Sequence, residues 1–131
     1  MTRELLKDPT GCKKLVDANE SAVITAVLKD VDEVAVNKAA LQSLTLTLVN
    51  SQDGMILNGR DSLSIYDVNN GSIAEDGVVT IKLQPDDNIV CGAQMNEVEE
   101  HYATLRWTYA DGDGDPMSGA QQWVIQVLAS P

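Results

Sequence analysis

The sequence contains no phenylalanine, and aromatic residues make up only 4% of it. A core without phenylalanine must be built mainly from leucine, isoleucine, valine and alanine, and a hydrophobic content of 44% is enough for one domain. No apolar run approaches the ~18 residues that a membrane-spanning helix needs, so we expect no membrane contact. The N-terminus also lacks the apolar segment of a secretory signal, so we expect synthesis and retention in the cytoplasm.

The nitrogen and sulfur ligands of metal sites are equally scarce, because the chain has one histidine and two cysteines. His101 cannot form a multi-histidine site, and Cys12 and Cys91 do not have the spacing of metal ligands. We expect two free, buried thiols, with a disulfide between Cys12 and Cys91 as the alternative. The sequence therefore predicts no metal and no cofactor.

Basic residues are few, with 9 Lys and Arg against 20 Asp and Glu, and the formal net charge is −11. Binding to the phosphate backbone of a nucleic acid relies on clustered Lys and Arg, so DNA and RNA are not expected partners. The acidic charge fits docking on a basic protein surface, although a solvated acidic surface is the simpler explanation.

The clearest structural signal is a long hairpin near the C-terminus, with predicted strands over residues 97–110 and 121–128 and a polar turn over 111–119. Apolar and polar side chains alternate in these strands, which is typical of a sheet with one face toward a core. Both tryptophans, Trp107 and Trp123, lie in this hairpin and are expected to supply the largest side chains of the core.

Further short strands are predicted from alternation or β-branched content, with Asp-Gly and Asn-Gly turn signals among them. They cover residues 20–29, 43–49, 55–57, 62–68 and 78–84, with a possible edge strand at 13–16 and one helical turn within 34–41. Seven or eight strands with almost no helix predict an all-β fold, an immunoglobulin-like antiparallel β-sandwich. A closed barrel is the alternative, because it would give the same local pattern.

The predicted domain organisation is an extended N-terminal arm over residues 1–19 and a sandwich domain over residues 20–131. The sandwich interior is expected to be lined by large apolar side chains of the predicted strands. These are Leu44, Leu46, Ile81, Leu105, Trp107, Trp123 and Ile125.

An acidic segment, Asp111-Gly-Asp113-Gly-Asp115, resembles the start of a calcium loop, in which alternate carboxylates converge on a cation. The match then fails, because Pro116 stands in place of the sharp-turn glycine and Gln122 in place of the bidentate glutamate. We expect a flexible, acidic hairpin tip here, and the sequence leaves open whether a cation binds.

No active site can be assembled from the sequence, because no Gly-x-Ser-x-Gly motif accompanies His101. Alternation places Glu99 on the same face as His101, so we expect a histidine held by hydrogen bonds at a sandwich end, with a catalytic or pH-sensing role as the alternative. Glu97 and Glu100, together with Glu99, are otherwise expected to form a solvated face. The sequence predicts no catalytic residues and no enzymatic activity.

Arg60 is one of few cations among many acids, and we expect it to tie its loop to a carboxylate on a neighbouring strand through bidentate contacts. Asp86 and Asp87 follow Pro85 and are expected to form a turn, not a catalytic pair of carboxylates.

Four segments in a fixed order carry a family resemblance. They are residues 43–48 (SLTLTL), 58–61 (NGRD), 77–80 (GVVT) with 83–88 (LQPDDN), and 99–109 (EEHYATLRWTY). Over roughly residues 43–128 the chain resembles small immunoglobulin-like virion structural proteins encoded among the head and neck genes of tailed bacteriophages.

This resemblance implies a capsid decoration, head-completion or collar protein in the virion, made in the host cytoplasm, without catalysis or cofactor. Its implied partners are other virion proteins, namely capsid, portal or neck components, with homo-oligomers possible. The alternative function is a tail, baseplate or host-attachment module that contacts carbohydrate or protein. An exposed aromatic platform would favour that alternative.

Overall fold

The computed structural model describes residues 13–93 and 97–129, which form two β-sheets that enclose one apolar core. Eight strands, β1 to β8 in chain order, span Lys13–Asp17, Ala22–Val27, Leu41–Asn50, Leu63–Ser64, Gly71–Ile73, Val78–Leu83, Val98–Ala110 and Pro116–Leu128. Helical structure in these residues is limited to two 3-10 turns, Lys38–Ala40 and Pro85–Asn88. The first of them lies within the range where one helical turn was predicted.

The strand order defines the architecture. The larger sheet has the order β1-β8-β7-β3-β4, and the smaller sheet has the order β2-β6-β5. All neighbours are antiparallel except β1 and β8, which pair in parallel. From β2 onward the chain visits the two sheets in the sequence of an immunoglobulin-like sandwich whose larger sheet carries an added strand. The predicted fold class is confirmed, and a closed barrel is excluded because the two sheets are separate.

Period-two alternation builds the core. In β3 the side chains of Leu44, Leu46 and Leu48 are buried and the threonines between them are half-buried. Strands β2, β6 and β7 alternate in the same way, because each presents one face to the opposite sheet and one to solvent. The apolar inner faces bury area worth roughly 25 cal/mol per Å², which is the main force that holds the sheets together.

Six of the seven predicted interior side chains are buried, and Trp123 is half-buried. Trp123 lies opposite Ala103 on the inner face of β8 and packs against the apolar core.

The edge strand that was predicted near the N-terminus is confirmed. Residues 13–17 form an edge strand, and Val16 is buried against the core. Residues 13–19 of the predicted arm thus accompany the larger sheet, while residues 1–12 lie outside the described residues. The division into an arm and a sandwich domain stays a prediction.

The hairpin turn is shorter than predicted, because β8 begins at Pro116 and not at Gln121. The side chain of Asp111 closes the turn over residues 111–115 by accepting two main-chain N–H groups. Gly119, which the sequence places in the turn, is a strand residue that pairs with Trp107. An added Cβ at Gly119 would lie 2.5 Å from the indole of Trp107, so glycine is needed here for close packing.

Two smaller strand predictions need correction, and one strand was missed. The predicted strand at 55–57 is only a single bridge between Val49 and Ile56, and the predicted strand at 62–68 is limited to Leu63–Ser64. Strand β5 was not predicted, because Gly71 has a low strand propensity. A Cβ at Gly71 would lie 2.3 Å from the carbonyl oxygen of Ile65, so a close tertiary approach requires this glycine.

The contact between Gly119 and Trp107 gives the first prediction. Gly119→Ala should lower the free energy of unfolding by about 1–3 kcal/mol, because the new methyl group overlaps the indole. Urea unfolding of the purified protein measures this difference.

Gly112→Ala is the matched control in the same hairpin, because an added Cβ there meets no atom within 4 Å. It should change the free energy of unfolding by no more than about 0.5 kcal/mol. Equal unfolding midpoints for the two variants would contradict the packing account.

Candidate functional site

A cleft of about 470 Å³ opens at one end of the sandwich, between the β2–β3 connection and the β7–β8 turn. We call it the acidic cleft, because four carboxylate side chains line it and no lysine or arginine does. These are Asp30, Asp32, Asp111 and Asp113. Tyr109 and Met117 also line it and add apolar surface. The cleft thus combines negative charge with apolar contact area.

The same hydrogen-bond pattern shapes both loops of the acidic cleft. Asp30 Oδ1 accepts the N–H groups of Asp32 and Val34 at 2.9 and 3.0 Å. Asp111 Oδ1 accepts the N–H groups two and four residues further on, each at 2.9 Å. Asp30 and Asp111 therefore maintain loop shape, while Asp32 and Asp113 are exposed and available for contact.

Tyr109 joins the two loops. Its side chain is 3% exposed, and its hydroxyl oxygen accepts the N–H of Val31 at 3.1 Å. Because Tyr109 belongs to β7, this hydrogen bond fixes the β2–β3 connection to the larger sheet. The relative position of the two acidic loops is thereby set before any partner binds.

The predicted acidic tip brings carboxylate oxygens of Asp111, Asp113 and Asp115 within 4.8 Å of one another. One oxygen of Asp111 already accepts two main-chain N–H groups, and its own N–H donates to the carbonyl of Asp115 at 3.0 Å. These bonds account for the conformation of the turn. The tip is a hydrogen-bonded turn, and its predicted flexibility stays a prediction.

Arg60 lies at the opposite end of the sandwich and forms the predicted bidentate ion pair. Its Nε and Nη2 donate to Asp87 Oδ1 and Oδ2 at 2.5 and 3.0 Å, and both side chains are almost fully buried. The partner is on the 3-10 turn after β6, however, and not on a strand as predicted. Since Arg60 follows β3 and Asp87 follows β6, the pair joins the two sheets.

Asp87 was expected to be only a turn former. It does cap the 3-10 turn, accepting the N–H of Gln84 at 2.6 Å, and it also accepts a hydrogen bond from Asn58 at 2.9 Å. Burial alone would raise the pKa of Asp87, but the hydrogen bonds from Arg60, Asn58 and Gln84 outweigh it and hold the pKa below its usual range. Asp86 is exposed.

Glu99 and His101 form the predicted pair, with His101 Nε2 2.7 Å from Glu99 Oε2. The expectation that Glu99 belongs to a solvated face is wrong, since Glu99 is 6% exposed, whereas Glu97 and Glu100 are exposed. Burial alone would raise the pKa of Glu99. The N–H groups of Cys91 and Gly92 and the imidazole of His101 outweigh burial, so the pKa lies below its usual range.

Cys91 has a free thiol, as expected, but it is exposed and not buried as predicted, because it lies in the β6–β7 connection outside the core. Cys12 lies outside the described residues. Aromatic side chains do not form an exposed platform, because Tyr66, Tyr102 and Trp123 are half-buried and Trp107 and Tyr109 are buried.

Comparison with known proteins does not identify a family for this chain. No protein-family model matches the chain, and no curated protein matches its sequence. Among solved structures, murine CRIg is similar with a TM-score of 0.44 and 8% identity, over 92% of this chain and 93% of that chain. This likeness is too distant to bear on function. No helix in residues 13–93 or 97–129 is long and apolar enough to cross a membrane.

The buried ion pair gives a second prediction. Arg60→Met should lower the free energy of unfolding by about 3–5 kcal/mol, because it leaves Asp87 ionised and buried without its cation. Chemical denaturation of the variant and the parent protein at neutral pH measures the loss.

Arg106→Met is the matched control, since it removes the same charge from an exposed position on the outer face of β7. Its effect should stay within about 0.5 kcal/mol. If both variants unfold at the same denaturant concentration, the ion pair does not stabilise the fold.

Proposed function

We propose that this chain is a non-enzymatic structural protein of a tailed-bacteriophage virion, placed at the head or neck as a decoration, head-completion or collar component. The phage origin is supported by the four sequence segments that resemble such proteins. The docking role is carried by one observation, the acidic cleft, whose lining has four aspartates and no basic residue.

The rim of the acidic cleft has the composition of a protein contact surface. Val31 and Val34 are 68% and 58% exposed and lie beside Asp30 and Asp32. Apolar side chains at the centre of an interface supply affinity, while surrounding charges select a complementary partner and speed association. The partner we propose is a basic surface on another virion protein, namely a capsid, portal or neck component.

A small, weak interface is sufficient to hold such a protein on a virion. A cleft of about 470 Å³ with an exposed rim offers a small interface, and small interfaces are individually weak. Many copies on a symmetric particle make weak contacts effective through avidity. Within the described residues, β1, β4, β2 and β5 are edge strands, and we propose them as further pairing sites for neighbouring copies.

The alternative, a host-attachment or tail module that contacts carbohydrate, has less support. Sugar-binding surfaces use exposed aromatic rings, and each tryptophan and tyrosine of the chain is at least half-buried.

The third prediction tests docking through the acidic cleft. The double variant Asp32→Asn, Asp113→Asn should bind particles that lack this protein about fivefold to tenfold more weakly, because each exposed ion pair contributes about 0.2–1 kcal/mol. Both positions are exposed, and only their main-chain N–H groups, not their carboxylates, take part in the hydrogen bonds that shape the loops. The measurement is co-sedimentation with particles of the phage whose genome encodes the chain.

The control is Asp61→Asn, Asp86→Asn, which makes the same change of charge at exposed positions of the opposite end. It should bind like the parent protein. Equal weakening by both double variants would contradict docking through the acidic cleft, and absence of the protein from purified virions would contradict the virion role.

A further inference from the structure

Three side chains with different metal-binding atoms meet at the end of the sandwich opposite the acidic cleft. The sulfur of Cys91, a carboxylate oxygen of Glu99 and a ring nitrogen of His101 all lie within 4.8 Å of one another. The sequence gives no hint of this cluster, because Cys91 belongs to the β6–β7 connection while Glu99 and His101 lie on the inner face of β7.

The connection is bent toward β7 by main-chain hydrogen bonds. Glu99 accepts the N–H of Cys91 and the N–H of Gly92, each at 2.8 Å, so its carboxylate fixes the thiol next to the strand. The side chain of Asn50, which is opposite His101 in the β3–β7 register, hydrogen-bonds the thiol. The cluster is therefore preformed by the fold and does not depend on an unrestrained loop.

His101 is the member whose environment is incomplete. Its side chain is fully buried, and Nε2 contacts Glu99, but Nδ1 has no hydrogen-bond partner within the described part of the chain. A buried polar atom without a partner is rare in folded proteins and calls for an explanation, such as a bound ion. Glu99 satisfies Nε2 of this imidazole and leaves Nδ1 as the ring nitrogen without a partner.

We propose that Cys91, Glu99 and His101 form a binding site for Zn²⁺. Thiolate sulfur, imidazole nitrogen and carboxylate oxygen are the donors that this ion takes, and three protein ligands leave a fourth position open. Ca²⁺ and Mg²⁺ are disfavoured, because they need several oxygen ligands and the cluster offers one carboxylate. A small cleft of about 130 Å³, lined by Gly92 and Glu99, gives access from solvent.

Binding requires the loss of one proton, because Zn²⁺ takes the thiolate form of cysteine. The proton of the Cys91 thiol passes to the solvent as the sulfur–zinc bond forms. Tetrahedral Zn²⁺ places its ligand atoms about 3.5 Å apart. The three ligand atoms, which lie within 4.8 Å of one another, therefore adjust their separations as the ion binds.

The fourth prediction uses Co²⁺ as a spectroscopic substitute for Zn²⁺. Titration of the reduced, full-length protein with Co²⁺ should produce a thiolate-to-cobalt charge-transfer band together with visible bands of tetrahedral cobalt, and Zn²⁺ should remove both by competition. Cys91→Ser should abolish the charge-transfer band and weaken Zn²⁺ binding at least tenfold. Because Cys91 is exposed, this variant is expected to fold.

Cys12→Ser is the matched control, because it removes the other thiol of the chain and should leave the cobalt spectrum unchanged. His101→Gln tests the nitrogen ligand and should remove the tetrahedral bands. A spectrum without a charge-transfer band, or a band that persists in Cys91→Ser, would overturn the proposal. A rise in melting temperature with Zn²⁺ that survives Cys91→Ser would equally place the metal elsewhere and overturn it.

Discussion

A buried ion pair between Arg60 and Asp87 is the interaction on which one end of this sandwich depends. Antibody domains join their two sheets with a disulfide between the strands that correspond to β2 and β7, and here these strands contain no cysteine. Apolar packing supplies most of the attraction between the sheets. The ion pair adds a directional link between the segment after β3 and the turn after β6. Further hydrogen bonds satisfy it, because Asn58 and the main-chain N–H of Gln84 donate to Asp87, and Arg60 donates to Oδ1 of Asn70. A buried charge pair is stable only under such complete satisfaction.

The two ends of the molecule consequently differ in what they can do. At the end of the ion pair, the charged side chains of Arg60 and Asp87 are buried and committed to the fold. At the other end, carboxylates such as Asp32 and Asp113 stay in solvent beside exposed Val31 and Val34. Exposed carboxylates next to exposed apolar side chains can bind a protein partner with a small cost in desolvation free energy, whereas the buried charges at the other end are not accessible to a partner. This asymmetry is the physical reason for placing the docking surface at the acidic cleft.

Much of this fold could be predicted from sequence, because period-two alternation in β3, β6 and β7 marks the buried face without any tertiary information. The start of β8 could not, since Gly119 reads as a turn residue until the indole of Trp107 is known to lie against it. The burial of Glu99 was missed for a similar reason, because its partners are main-chain groups of a distant connection. The role of Asp30 was detectable, since residues 30–32 repeat the Asp-x-Asp pattern of the acidic turn at 111–113.

The central claim is that the acidic cleft is the surface that contacts a basic partner. Hydrogen–deuterium exchange of the protein, free and bound to the virion, tests this claim most directly. The account predicts that binding slows exchange in the loops of the cleft, residues 30–36 and 111–115, and leaves the connection around Asp87 unchanged. Slower exchange confined to the connection around Asp87, with both acidic loops unaffected, would contradict it.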